Sequence, residues 1–311
     1  MKVYRSYEEL PCGTIHTAVT FGNFDGVHLG HQRVLSQLLD VANQHNVIPA
    51  LVTFDPHPLT VIAPERVPRS LLILEERLSF LRHYGAQIVV VLPFDQQLAQ
   101  CSAEEFVKSI LVDGLGARVV LLGPDARFGA GRRGDASLLN TLGASYGFIN
   151  VGIASLELYG ETISSSRIRR LVSAGEVEHA ARLLGRPHRV PGKVVEGDKR
   201  GRMIGFPTAN VAPPPQVLIP AHGVYAGMLE FDGQRHLCAV NVGVRPTFED
   251  HRATIEAHVL DFSKDLYGSN VVVEFIYRIR GERKFSSVEA LVAQIANDCA
   301  KVRRLFTENP P

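Results

Sequence analysis

Four short apolar runs, at residues 18–21, 50–54, 88–92 and 119–122, constrain the first half of this chain more than any other feature. Runs of Val, Ile, Leu and Phe without polar alternation fit strands buried on both faces, as in a parallel sheet. Between them lie stretches of helical period. In residues 28–44, Val34, Leu35, Leu38, Leu39 and Ala42 fall on one side, and similar patterns cover 75–84 and 103–112. Strands alternating with helices imply βαβ units and an α/β fold. Two further short helical patterns, over 166–185, close the region.

The character changes at Gly185-Arg186-Pro187. Short strand patterns follow at 189–195, 224–229, 237–242, 254–260 and 271–279, punctuated by Gly, Pro and Asp, and a helical pattern covers 287–299. Such spacing suggests an antiparallel sandwich or small barrel. A chain of 311 residues with 45% hydrophobic and 21% charged side chains suits two globular domains. They are expected at 1–185 and 186–306.

Several classes of function are disfavoured. Lys and Arg (33) nearly balance Asp and Glu (32), unlike a chain built to coat nucleic acid or an anionic membrane. No run approaches 18 uninterrupted apolar residues, and the start has no apolar targeting segment. Cys12, Cys101, Cys238 and Cys299 are far apart with no C-x-x-C pair, as expected for free thiols in the cytoplasm.

Two constellations carry chemistry. Gly22-Asn23-Phe24-Asp25-Gly26-Val27-His28-Leu29-Gly30-His31 leaves the first apolar run and enters the first helical stretch. That turn of an open α/β sheet is where phosphates bind: glycines allow close approach, and the helix start offers unpaired N–H groups. His28 and His31 share a face of the first helical turn and can donate to phosphate oxygens as charge builds up. On spacing alone, an ordinary helix start fits as well. Further on, Ser164, Ser165 and Ser166 are cap residues with Arg169 one turn beyond, a suitable anion site or a plain capped helix. Gly129-Ala130-Gly131-Arg132-Arg133-Gly134 spells G-x-G-x-x-G, but it sits late in the fold with no helical pattern opening directly on it. It is expected to be a basic loop.

The second constellation is Gly197-Asp198-Lys199-Arg200-Gly201-Arg202-Met203-Ile204-Gly205-Phe206-Pro207-Thr208-Ala209-Asn210. Pro207 biases its neighbourhood towards extended backbone, where Thr208 and Asn210 point the same way. A hydroxyl and an amide oxygen are hard ligands suited to Mg²⁺ carrying nucleotide phosphates. The chain holds no G-x-x-x-x-G-K-[ST], so a P-loop is excluded.

The His28-Leu29-Gly30-His31 string resembles the nucleotidyltransferase superfamily signature. With Phe24-Asp25-Gly26 before it, the segment is similar to the adenylyltransferase module of prokaryotic bifunctional riboflavin kinase/FAD synthetases. Thr53-Phe54-Asp55-Pro56-His57-Pro58, Gly123-Pro124-Asp125-Ala126-Arg127-Phe128-Gly129 and Ile163-Ser164-Ser165-Ser166-Arg167-Ile168-Arg169 match as well. The second constellation resembles the riboflavin kinase signature, supported by Gly223-Val224-Tyr225, Asn241-Val242-Gly243, Arg245-Pro246-Thr247 and Leu266-Tyr267-Gly268.

The resemblance implies a Rossmann-like nucleotidyltransferase domain followed by a Greek-key barrel with a C-terminal helix. It implies riboflavin phosphorylation by ATP to FMN, then FMN adenylylation by ATP to FAD, with Mg²⁺ as cofactor. Riboflavin, FMN and ATP are then the partners, with no nucleic acid or membrane, and self-association stays open. His28, His31 and Arg169 would stabilise charge in adenylyl transfer, and Glu256 would be the kinase's general base. Gly22, Phe24, Asp25, Gly26, Asp55, Asp125, Arg127, Ser164, Ser165 and Ser166 would contact nucleotide or flavin in the first module. Gly192, Lys193, Gly197, Gly205, Phe206, Pro207 and Arg283 would do so in the second, with Thr208 and Asn210 as metal ligands. Ala126 stands where the family usually has an aromatic residue, which bears on a reading in which only the kinase works. Glu196 stands where a His is common.

Overall fold

The structure is a computed structural model that describes residues 1–123, 126–153, 156–158, 160–197, 200–244 and 253–308. It divides into two compact units, Met1–Pro68 with Ile73–Ser164, and Arg69–Leu72 with Ser165–Pro311.

The first unit holds strands β1 (Lys2–Tyr4), β2 (Thr17–Phe21), β3 (Ile48–Asp55), β4 (Ile88–Pro93), β5 (Ala117–Leu122) and β6 (Ile149–Gly152). They form one parallel sheet in the order β1-β4-β3-β2-β5-β6. Val19, Val52, Val90 and Val120 join one hydrophobic cluster with Phe106, Ile110 and Leu139. The alternate residues Leu51, Val89 and Leu121 are also fully buried, so both faces are covered, which explains the continuous apolar runs. From β2 the chain moves outward to β3 and β4, then returns to β5 on the other side of β2. The turn after β2 therefore lies at the topological switch point, where ligands bind in open α/β sheets.

The helices are α1 (Leu29–Gln44), α2 (Leu59–Ile62), α3 (Leu74–His83), α4 (Gln96–Gln100), α5 (Ala103–Phe106) and α6 (Ala136–Tyr146). The expected helix over 103–112 is α5 continuing as π-helix over Val107–Gly114. β1, β6 and α6 carry no clear periodic signal. The G-x-G-x-x-G stretch contains a 3₁₀ turn, and a bridge between Phe128 and Gly134 closes it. Contrary to the sequence reading, a helix follows almost at once: Asp135 caps α6 by accepting the Leu138 N–H at 3.0 Å. Glu157–Leu158 (β7) and Glu161–Thr162 (β8) form a small antiparallel ladder.

The second unit is a closed barrel, which decides between the two expected all-β architectures. Its strands are β9 (His188–Val195), β10 (Ala209–Ala212), β11 (Gly223–Phe231), β12 (Gln234–Val244), β13 (Ala253–Val259) and β14 (Asn270–Arg280), ordered β10-β13-β12-β11-β14-β9 with antiparallel pairing throughout. Consecutive β10 and β11 are not neighbours, a Greek-key connection. Val190, Tyr225, Val240, Ile255 and Phe275, all fully buried, alternate with residues facing outward. Helix α10 (Val288–Glu308) covers part of that outer face, packing Cys299 and Val302 on Ala226, Ala239 and Leu260. Asp298 fixes it there, accepting from Arg280 Nη2 at 2.7 Å and Nε at 3.0 Å.

Helices α7 (Ser165–Ala174) and α8 (Val177–Leu184), expected to close the first domain, pack with the barrel instead. Arg278 of β14 donates to the Ala174 carbonyl at 2.8 Å, and its own N–H is accepted by Glu178 at 3.0 Å. Ser70 bridges to Val217, donating its N–H to Gln216 and accepting from Leu218. The short α9 (Arg200–Met203) lies between β9 and β10.

Candidate active sites

In the first unit the chain leaves β2 through a tightly bent turn. Phe24 (φ 48°), Gly26 (φ 85°) and Val27 (φ 38°) are all left-handed, and two of them are not glycine, which is costly unless the surroundings enforce it. Phe24 and Asp25 are buried. His28 caps α1, its Nδ1 accepting the His31 N–H at 3.3 Å. The two imidazoles stack with centroids 3.6 Å apart, and the Phe24 ring lies 4.9 Å from His31. A Cβ on Gly30 would come within 3.1 Å of the His28 ring, so the glycine lets the pair close up. The structure thus brings His28 and His31 together at a helix N-terminus, with Gly22 at the strand exit.

Asp55 ends β3 beside this turn, and a cis bond joins it to Pro56. His57 Nδ1 accepts the Leu59 N–H at 3.1 Å, and its Nε2 lies 3.2 Å from Asn23 Nδ2. Arg77 of α3, which sequence reasoning missed, is buried beneath both turns. It donates to Asn23 O at 2.8 Å, to Phe54 O at 3.2 Å and to Asp55 at 3.5 Å. Burial pulls its guanidinium below the usual value, opposed by Asp25, Asp55 and Glu75. Only its place in the helical period could have drawn attention to it, since a lone Arg in an amphipathic helix reads as a surface residue.

Asp125 lies outside the described residues. Ala126 packs against the hydrophobic core, and Arg127 is exposed, bonded to the adjacent Ala126 carbonyl. Ser164 ends the first unit. In the second, Ser165 and Ser166 open α7, and Arg169 Nε donates to the Arg69 carbonyl at 2.8 Å.

In the barrel, three polar residues of neighbouring strands converge on the outer face. Asn210 of β10 lies directly opposite Glu256 of β13, which lies opposite Asn241 of β12. Directly opposed residues share a face, so a carboxylate stands between two carboxamides. Asn241 had been noted only within a matching string. Thr208 precedes β10 by one residue, and a Cβ on Gly201 would come within 3.5 Å of its Oγ1. A Cβ on Gly197 would press on the Asn210 carboxamide. Gly197 thus comes close against the Asn210 carboxamide, and Gly201 lies near the Thr208 hydroxyl. His258, two residues beyond Glu256 and unremarked in the sequence, donates from Nδ1 to Pro207 O at 2.8 Å and meets the Phe206 ring edge-on.

Gly205 is left-handed, with φ 87°. Gly192 serves packing, since a Cβ there would come within 2.5 Å of Val211. Lys193 and Arg283 are exposed. Lys199 and Arg245-Pro246-Thr247 lie outside the described residues. A cavity of about 310 Å³ opens beside Thr208, between Arg202, Phe262, Lys264 and Tyr267.

No group of three or more His, Cys, Asp or Glu that could hold a metal occurs among the described residues. Two neutral oxygen donors at Thr208 and Asn210 instead fit Mg²⁺, which keeps most of its shell for water and substrate phosphates.

Residues 13–167 match the family model for FAD synthetase, and residues 184–306 that for riboflavin kinase. The Escherichia coli (strain K12) protein named bifunctional riboflavin kinase/FMN adenylyltransferase is 38% identical over 294 residues, 94% of each chain. Its namesake from Pseudomonas fluorescens is 40% identical over 287 residues, 92% of each chain. A crystal structure described as a macrolide-efflux protein from Streptococcus pneumoniae matches with a TM-score of 0.89 at 30% identity, covering 97% of this chain and 99% of that one. That description belongs to the Streptococcus protein; here no helix among the described residues is long and apolar enough to cross a membrane.

Proposed function

Because the chain belongs to the bifunctional riboflavin kinase/FMN adenylyltransferase family, we propose that it makes FAD in two successive transfers from ATP. Riboflavin and ATP give FMN and ADP in the module of residues 186–306. FMN and a second ATP give FAD and pyrophosphate in the module of residues 1–185.

In the kinase step Glu256 accepts the proton of the riboflavin 5′-hydroxyl as that oxygen attacks the γ-phosphorus. The observation that carries this reading is its place between Asn210 and Asn241, on a sheet face rather than in a mobile loop. Asn241 orients substrate, and Thr208 with Asn210 would hold Mg²⁺, which would supply positive charge to the phosphates. The loop with Gly197, Gly201 and Gly205 covers the nucleotide, and Arg283 closes over the flavin side.

In the adenylyl step an FMN phosphate oxygen attacks the α-phosphorus and pyrophosphate leaves. His28 and His31 donate to the phosphate oxygens where charge builds up, at the positive end of α1. Arg169, with Ser165 and Ser166, neutralises the leaving pyrophosphate. Both substrates and four free thiols suit the cytosol. The test is a time course with riboflavin, ATP and Mg²⁺. FMN appearing first and then converting to FAD is expected; no product from riboflavin or from FMN refutes the proposal.

A further inference from the structure

We propose that Arg77 is a positioning residue for adenylyl transfer, holding the turns after β2 and β3 in one catalytic arrangement; this rests on the first unit being the adenylyltransferase. Its guanidinium reaches across two adjacent parallel strands and grips a carbonyl at the exit of each, Asn23 and Phe54, and also the Asp55 side chain.

Arg77 is only 8% exposed, and a buried ionic group is weak grounds for stability, since an apolar side chain of similar size packs as well. What the guanidinium adds is geometry, because a planar fork fixes several acceptors at once. The β2 turn needs such fixing. Phe24 and Val27 hold left-handed backbone, which persists only where contacts over-determine it. Asn23 is the residue before Phe24, and its carbonyl also accepts from Thr53 Oγ1 at 3.1 Å. Phe24 in turn lies against His31, which stacks on His28. A contiguous set of contacts therefore runs from Arg77 through Asn23 and Phe24 to both histidines. Phe54 and Asp55 give Arg77 the same hold on the second turn.

The test uses full-length Arg77→Met and Arg77→Lys, with kcat and KM measured for FMN adenylylation and for riboflavin phosphorylation in the same preparations. Arg77→Met is expected to lower adenylylation kcat about 10- to 100-fold, the usual penalty for misplacing reacting groups. The KM for ATP should change little and phosphorylation should not change. Arg77→Lys, which keeps the charge but loses the planar fork, is expected to restore only a small part of the kcat. Wild-type adenylylation by Arg77→Met overturns the proposal, as does a loss that only tracks the folded fraction in thermal unfolding. If Arg77→Met fails to fold, an Arg77→Lys variant that folds normally and adenylylates FMN at the wild-type rate also overturns it. A wild type that makes FMN but no FAD refutes the parent reading and takes this proposal with it.

Discussion

Adding one methyl group at Gly197 should slow riboflavin phosphorylation about a hundredfold while leaving the fold nearly untouched. An alanine Cβ there would sit 2.5 Å from Asn210 Oδ1 and closer still to Cγ and Nδ2. Ordinary non-bonded contact needs about 3.5 Å, so the carboxamide must retreat by roughly 1 Å. What moves is the end of a side chain rather than backbone, and Gly197 has no left-handed φ, so little strain results. Stability should shift by less than about 1 kcal/mol, partly offset by the lower entropy of the unfolded alanine chain. Function should not be spared. Asn210 is a proposed Mg²⁺ ligand, and a 1 Å misplacement can cost about 10²-fold. A hundredfold loss in kcat/KM corresponds to about 2.7 kcal/mol of transition-state stabilisation. The assay is riboflavin phosphorylation by Gly197→Ala across a range of Mg²⁺ concentrations, with thermal unfolding and FMN adenylylation as controls. Wild-type phosphorylation would refute the reasoning, because it would mean that Asn210 can leave its place without consequence.

Glu256→Gln keeps shape and neighbours but removes the base, and should lower phosphorylation about 10²- to 10⁴-fold. FAD formation from supplied FMN should continue, and loss of both activities together would count against the assignment. Asp298→Ala strands Arg280 near the barrel wall and should destabilise the second unit by about 3 kcal/mol, read by denaturant unfolding. At pH 8, iodoacetamide should label exposed Cys12 first, followed by mass spectrometry of peptides. Burial, with the Glu105 carboxylate beside it, pushes Cys101 up to about 11 and favours its neutral form in the folded state. The stability it contributes is therefore present at neutral pH and lost as pH rises towards that value, where its labelling should accelerate.

Strongly periodic segments were legible in the sequence because burial on both faces admits few polar residues, here Thr17, Thr20 and Thr53. β2, β3, β4 and β5 are such strands, and α1 shows its buried stripe of Leu35, Leu38 and Ala42. Edge strands β1 and β6 are short and partly exposed, so their residues carry no such constraint. α6 mixes Asn, Thr, Gly and Ser with its leucines and follows a glycine-rich turn that masked its cap. Contiguous strings supplied most of the candidate site residues. Arg77, Asn241 and His258 reach their candidate places only through strand register or by spanning elements, and register is a property of the folded sheet. Asn241 and Glu256 are fifteen positions apart in sequence yet directly opposed.

The two family matches leave residues 168–183 unclaimed, and most of α7 and α8 falls in that gap. These helices nevertheless belong to the barrel's unit, together with the Arg69–Leu72 excursion from the other half of the chain. The borders of the two family matches and of the two compact units therefore differ. A recombination event that exchanged only residues 186–306 would strip β14 of the helices that Arg278 ties down, and would leave Val217 without its bridge to Ser70. A graft that kept this packing would have to carry residues 69–72 and 165–184 with the barrel.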